Sequence, residues 1–560
     1  MRRLFLQILA LLTIALPIAA APSAPAKLDL GAITEVHTLI PMRDGKRLSA
    51  YLYFPAGDGP WPVIFEQRYA SLTGASTRKA AARLAEGGYV VAMVNFRGAG
   101  LSQGHYVGYR ALQWGELRDG HDVCEWLGSQ GWSSGKVGTF GSSQGGYAQN
   151  YLAVTQPPSL TCQYMIDTGL SLFHEGYRIG GATRPERFKS MARVCRDPKD
   201  NDAVLAEWFA HPHYDDYWRA EDCTLHFDKM NVPCLTIGSW FDFMNQGSIA
   251  SYIGRQHKGG PNSRGKQWLL VGPWLHGRYN KGAKVAEMQF PENAAWPVEE
   301  HMLRWFDFWL KGKKNGVDKE PRVRYYAMGS EGGARGNAWR EADDWPVNDN
   351  LTPLFLQAGG GLSSKKPRGA AGHALAGAAT KTSFVSDPNN PMQIPGRGFP
   401  GARDARKFEE QSEVRIFTTE PLDSPVEWTG RVFADLRVSS TAKDTDFIVR
   451  VSDVYPDGRS MLLVDYPWRM RYRNGFESEE LMEPGKVYQL KFPVGWISQI
   501  FEKGHRIRVT IASTGAPLYE PNPQTGKPLT IEWPKDAVVA TNTVHHSARH
   551  ASRILAPVMK

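Results

Sequence analysis

Between residues 28 and 152, short apolar and β-branched runs alternate with stretches of helical spacing, the order that builds a parallel sheet covered by helices. Residues 62–67 and 89–95 read as buried strands, 114–127 as a helix and 136–140 as the strand after it. That strand ends in Gly141-Ser142-Ser143-Gln144-Gly145-Gly146, from which a second helix runs toward Val154. Between about 170 and 227 the alternation lapses into aromatic, charged and His-containing sequence with helical spacing, which suits a helical cap inserted over one end of the sheet. The sheet resumes at 232–238 and 267–271. An amphipathic helix over 297–311 then places Met302, Trp305, Phe306, Trp309 and Leu310 on one face, with Pro297 at a position that helices tolerate.

Farther on the period changes. A Gly, Ala and Ser-rich stretch over 359–379 reads as a flexible surface loop, and short alternating strands follow, among them 431–439, 446–454, 487–493 and 506–512. This is the pattern of an all-β module, a two-sheet jelly roll. No internal repeat is visible.

At 560 residues the chain exceeds what one hydrophobic core supports, so two or three domains are expected. Arg2 and Arg3 precede an apolar run to Ile18 and the small residues Ala19, Ala20 and Ala21, which reads as a signal peptide over 1–21 and implies a secreted or periplasmic protein. No later stretch is apolar enough for a membrane span, so integral membrane association is not expected. The net charge of +9 is dispersed rather than gathered in runs, which speaks against a nucleic-acid partner. Five cysteines leave at least one unpaired, and proximity in the chain suggests a bridge between Cys195 and Cys223. There is no Cys-x-x-Cys, and His546-x-x-x-His550 stands far from any cysteine, so these histidines are expected at the surface and no metal site is expected.

Gly141-x-Ser143-x-Gly145 between a strand and a helix is the nucleophile-elbow pattern. A serine hydroxyl is a weak nucleophile until a histidine takes its proton and a carboxylate orients that histidine. Asp242 and His276 follow the strands 232–238 and 267–271, just past the strand ends where α/β sheets place their sites. His211, His213, His257 and His301 lack that placement. For the oxyanion, the backbone N–H of Gln144 is one candidate donor and the hydroxyl of Tyr69, past the strand 63–67, is another.

These residues resemble the cocaine esterase and X-Pro dipeptidyl-peptidase family, which also holds α-amino acid ester hydrolases and some β-lactam acylases. The likeness rests on Phe96-Arg97-Gly98-x-Gly100-x-Ser102, on Trp126-Leu127 leading through Trp132-Ser133-x-Gly135-Lys136-Val137-Gly138 to the elbow, and on Trp240-x-Asp242. It continues in Gly272-Pro273-Trp274-x-His276, in Asp446-Phe447 to Asp457-Gly458, and in Lys503-Gly504-His505-Arg506. The resemblance implies an α/β-hydrolase domain in two parts (22–169 and 229–345), a helical cap between them (170–228), and a galactose-binding-like jelly roll (346–560). It also implies Ser143, Asp242 and His276 as the catalytic triad, with Tyr69 and Gln144 as the oxyanion hole and no cofactor.

Two positions depart from the family pattern. Gln144 stands where family members commonly carry Tyr, so the side chain shaping the acyl pocket is expected to differ. Phe243, Met244 and Asn245 stand where the amino-ester branch has acidic residues that hold the substrate ammonium. The expectation is a serine hydrolase acting on a small-molecule ester or amide, with short peptides also conceivable as substrates and homo-oligomers compatible with the sequence. The alternatives are an X-Pro dipeptidyl-peptidase or β-lactam acylase of the same mechanism, and an inert secreted binding protein.

Overall fold

The computed structural model describes residues 26–185, 194–279, 284–333, 335–367, 380–396, 398, 401–528 and 535–560. The expected signal peptide and most of the glycine- and alanine-rich stretch, residues 368–379, lie outside them.

Ten strands form the first sheet: β1 (Thr34–Pro41), β2 (Arg47–Phe54), β3 (Trp61–Arg68), β4 (Val90–Asn95), β5 (Ser133–Ser142), β6 (Leu160–Ile166), β7 (Cys234–Ser239), β8 (Gln267–Gly272), β9 (Val323–Ala327) and β10 (Ala338–Ala342). Their order is β1-β2-β4-β3-β5-β6-β7-β8-β9-β10, with antiparallel pairing at the two margins and parallel pairing from β4 through β9. Every residue of β4, β7 and β8 is buried, as expected for parallel strands covered on both faces. On one face lie helices α1 (Ala75–Glu86) and, late in the chain, α5 (Val298–Trp309), whose Met302, Trp305 and Phe306 pack with Ile64, Val91 and Tyr164. On the other lie α2 (Asp119–Ser129) and α3 (Gln144–Thr155), whose Val123, Leu127 and Leu152 pack with Val63, Val94 and Val137. This is the α/β-hydrolase fold.

The predicted helix over 114–127 begins only at Asp119, because Arg118 before it is left-handed (φ 48°) and the Asp119 N–H turns back to the carbonyl of Ala111. Between β6 and β7 the chain leaves the sheet. A single π-helical turn, Leu172–Tyr177, is followed by a two-strand ribbon and by α4 (Pro198–Ala210), capped by Asp197 and opened by Pro198. Phe173, Tyr177, Trp208 and Trp218 from this excursion join Tyr109, Tyr147 and Tyr151 in one aromatic cluster over the carboxyl ends of the strands. No disulfide is formed among the described residues, which include all five cysteines. The expected Cys195–Cys223 bridge is not formed: Cys195 is held in a bridge to Ala99, while the Cys223 N–H bonds to the Leu170 carbonyl.

After β10 the chain builds β11 (Thr352–Leu356), β12 (Lys381–Ser386), β13 (Arg415–Thr418), β14 (Val426–Ser440), β15 (Asp446–Val454), β16 (Ser460–Arg469), β17 (Tyr488–Phe501), β18 (Arg506–Ala512), β19 (Ala540–His545) and β20 (Arg553–Ala556). One sheet runs β11-β20-β14-β19-β12 with β17 also on β14; the other runs β13-β18-β15-β16. β17 is twice its predicted length, since a register shift opposite Val432 and Phe433 lets it continue past Pro493. His546 is buried, with its ring against the Thr382 hydroxyl, which corrects the expectation of a surface histidine.

The two parts share a core. Trp345, 1% exposed, packs its ring against Trp240 and Tyr325 from the first sheet and Trp496 from β17. Met328, just past β9, exchanges main-chain hydrogen bonds with Ser498 and Ile500. Replacing Trp345 by Ala should therefore lower the free energy of unfolding by about 3–5 kcal/mol. Denaturant melts read this as an earlier transition, and an unchanged midpoint would show that this contact does not couple the parts.

Candidate active site

Ser143 sits on the turn between β5 and α3 with φ 58° and ψ −111°, a backbone conformation that non-glycine residues rarely hold. Its N–H is shared between the carbonyls of Ile166 (3.0 Å) and Asp167 (3.2 Å), and its carbonyl accepts the N–H of Tyr147 in the first turn of α3. The glycines of the motif are dictated by what lies beneath. A Cβ on Gly141 would come 3.0 Å from Glu66 Cγ, and one on Gly145 would come 2.8 Å from Glu66 Oε1. Glu66 projects from β3, buried beside the Arg68 guanidinium at 3.3 Å, and burial raises its pKa.

Asp242 and His276 reach the same end of the sheet from β7 and β8. Main-chain bonds tie their loops together, Trp240 N–H to the Gly272 carbonyl (2.8 Å) and Phe241 N–H to the Trp274 carbonyl (3.1 Å). Nδ1 of His276 lies 2.9 Å from Oδ2 of Asp242, whose side chain is sealed from solvent. Phe243 stacks on the imidazole at 5.6 Å between centroids, and the Arg184 guanidinium lies over the Phe243 ring at 3.7 Å. With Nδ1 engaged, Nε2 is the ring nitrogen that can exchange a proton with a hydroxyl. The other histidines weighed from sequence are engaged elsewhere: His211 with Asp215, His213 beside Tyr472, His257 with Asp344, and His301 between Tyr164 and Glu320.

Gln144 was expected to face the acyl pocket. Its side chain instead turns to the loop after β3, where Oε1 accepts the backbone N–H groups of Tyr69 (2.9 Å) and Ala70 (3.0 Å). Asn95, at the end of β4, fastens the same loop by donating to the carbonyls of Arg68 and Ala70. The Tyr69 ring is set edge-on among Phe96, Tyr106 and Tyr109. In the Phe96-Arg97-Gly98 segment that follows, Arg97 forks onto Asp119 (2.6 and 2.8 Å) and reaches Asp44 (2.8 Å), which anchors the segment to α2.

Two groups here were not singled out from sequence. Glu66 lies on a strand that reads as plain packing. Asp167 follows β6 in Met165-Ile166-Asp167-Thr168-Gly169, where the strand-end signal that located Asp242 and His276 was equally present. It accepts the Ser239 hydroxyl and the Gly277 N–H, each at 2.8 Å, and lies 3.9 Å from Nδ1 of His276.

Beside Phe243 a cavity of about 220 Å³ opens between the π-helical turn and the β module, lined by Ile179, Tyr466, Trp468 and Phe476 and by the polar side chains of His174, Arg431 and Glu175. Burial pushes Glu175 up to about 8, so it is neutral at pH 7 although it accepts the Leu170 N–H. A smaller cavity sharing Ile179, Phe243, Gln246 and Tyr466 runs on to Asp242.

Residues 44–278 match the family model described as X-Pro dipeptidyl-peptidase (S15 family), and residues 315–555 match that of the X-Pro dipeptidyl-peptidase C-terminal non-catalytic domain. The chain belongs to the X-Pro dipeptidyl-peptidase family. Within it the chain is similar to the cocaine esterase of Rhodococcus sp. (strain MB1 Bresler), 29% identical over 94% of this chain and 98% of the relative. It superposes on the structure of an α-amino acid ester hydrolase with a TM-score of 0.83 (24% identity, 98% of this chain, 100% of the other). An aminopeptidase from the marine sediment archaeon Thaumarchaeota archaeon gives 0.79 (24% identity, 96% and 98%). At these identities the superpositions speak for the fold. Membership of the X-Pro dipeptidyl-peptidase family makes the chain a hydrolase.

Because Gln144 fixes the loop bearing Tyr69 through its side chain alone, Gln144→Leu should lower kcat about 10- to 100-fold with KM nearly unchanged. In a Tyr69→Phe background the same change should add little. Additive losses on an aryl ester would separate the two residues.

Proposed function

We propose that this protein is a carboxylic ester hydrolase, with some reach to amides, that works by an acyl-enzyme on Ser143. The observation that carries the reading is the 2.9 Å bond from His276 to a buried Asp242 at the strand ends next to a serine in the strained elbow conformation. Fixed at Nδ1, the imidazole presents Nε2 as general base to the Ser143 hydroxyl. Attack on the acyl carbon gives a tetrahedral oxyanion, for which the Gln144 N–H and the Tyr69 hydroxyl are the donors. His276, now imidazolium beside Asp242, returns its proton to the departing alcohol, and water then releases the acid by the same steps in reverse. The N-terminal arginines and apolar run support an exported enzyme.

The cavity beside Phe243 supports an acyl group without a positive charge. Its walls are mostly aromatic and aliphatic, the Arg431 guanidinium stands among them, and its carboxyl, Glu175, is mostly protonated at neutral pH, so no fixed anion awaits the free amine of an amino ester or an X-Pro peptide. Esters of uncharged acids should be cleaved faster than the matching α-amino esters and faster than X-Pro anilides at pH 7. A preference for the amino substrates would overturn the assignment of acyl class.

Ser143→Ala should drop kcat by about 10⁶, leaving only what binding and the oxyanion donors supply, with the melting temperature unaltered. Substantial turnover by the folded variant would reject Ser143 as nucleophile.

A further inference from the structure

Asp167 occupies an unusual position among the loops of the site. Its own φ is 45°, and its main chain and side chain together bind three of the loops. Its carbonyl takes the N–H of Ser143, one carboxyl oxygen takes the hydroxyl of Ser239 at the end of β7, and the other takes the N–H of Gly277, next to the histidine. That second oxygen also stands 3.9 Å from Nδ1 of His276, the nitrogen that bonds Asp242 at 2.9 Å. Both carboxyl side chains are completely shielded from solvent, so one imidazole nitrogen faces two buried acids.

We propose that Asp167 is a second positioning acid for His276, which fixes the loop carrying the imidazole and takes over the Nδ1 hydrogen bond when Asp242 cannot make it. The proposal rests on the triad reading and extends it.

The geometry supports this in two ways. A carboxylate offers about four acceptor sites, and the two bonds Asp167 makes to Ser239 and Gly277 leave capacity for a third donor. Closing the gap to Nδ1 takes about 1 Å, the difference between a near contact and a hydrogen bond. Electrostatics add a signature that bracing alone would not give. Burial, and then repulsion by Asp242, raise the pKa of Asp167, against the opposing pull of His276, the Gly277 N–H and the Ser239 hydroxyl. The other group facing it is Tyr279, which also lies near Glu66. Ionised Asp167 therefore raises the pKa of the imidazole, and its removal must lower it.

The test uses the full-length enzyme and an uncharged aryl ester, with kcat/KM followed against pH. Asp242→Ala should lose about 10²-fold in rate, where loss of a triad acid with no substitute costs about 10⁴-fold. Adding Asp167→Asn to it should remove most of what is left. Asp167→Asn alone should move the acid limb of the profile to lower pH. A 10⁴-fold loss in Asp242→Ala that Asp167→Asn does not deepen, or an acid limb that stays in place, overturns the proposal. If Asp167→Asn fails to fold, the size of the loss in Asp242→Ala decides: about 10²-fold supports the role, and about 10⁴-fold refutes it. Ser143→Ala serves as the baseline, because turnover there would refute the triad itself and not the part given to Asp167.

Discussion

A serine held in a left-handed backbone conformation between a strand and a helix is the constraint on which the rest of this structure depends. Such a residue costs of order 1–3 kcal/mol and persists only when its surroundings over-determine it. Here they do. The Ser143 N–H is caught by two carbonyls at the end of β6, its carbonyl is taken into α3, and Glu66 fills the space that side chains at 141 and 145 would need. The strained turn is thus a product of β3, β5 and β6 together, and its consequence is a serine set at the strand ends, its N–H bonded to Asp167, whose carboxyl reaches the loops that follow β7 and β8.

Polar side chains do the fine positioning around that turn. Gln144 and Asn95 fasten the loop of Tyr69, and Arg97 anchors the segment after β4 by two carboxylates. Asp242 and Asp167 converge on Nδ1 of His276. The cavity beside Phe243 is built differently, from mostly aromatic and aliphatic walls, with Arg431 and Glu175 among them, supplied jointly by the π-helical turn, the Phe243 loop and the β module. The β module is therefore part of the site's wall as well as a partner in the core around Trp345.

Much of this was legible in the sequence because local chemistry and global fold agree there. The elbow announces itself, since a strand, two obligatory glycines and a helix all fall within a short stretch. Asp242 and His276 follow from their place after buried strands. What escaped depends on contacts between distant residues. Arg118 gives no sign of the left-handed turn that delays α2 to Asp119, and nothing near Gln144 shows that its amide points to a loop 75 residues away. Strand β17 outruns its apolar pattern because a register shift opposite Phe433 carries it beyond Pro493. Cys195 and Cys223 lie close in the chain but are claimed by different neighbours. Asp167 carried the same strand-end signal as Asp242, without the aromatic motif that drew attention to the latter.

The most direct measurement of the central claim is to react the protein with a fluorophosphonate and map the modified peptide by mass spectrometry. The account predicts a single phosphonyl adduct on the Ser143 hydroxyl, formed more slowly when His276 is replaced by Ala. An adduct on another residue, or labelling of Ser143 that is indifferent to His276, would contradict it.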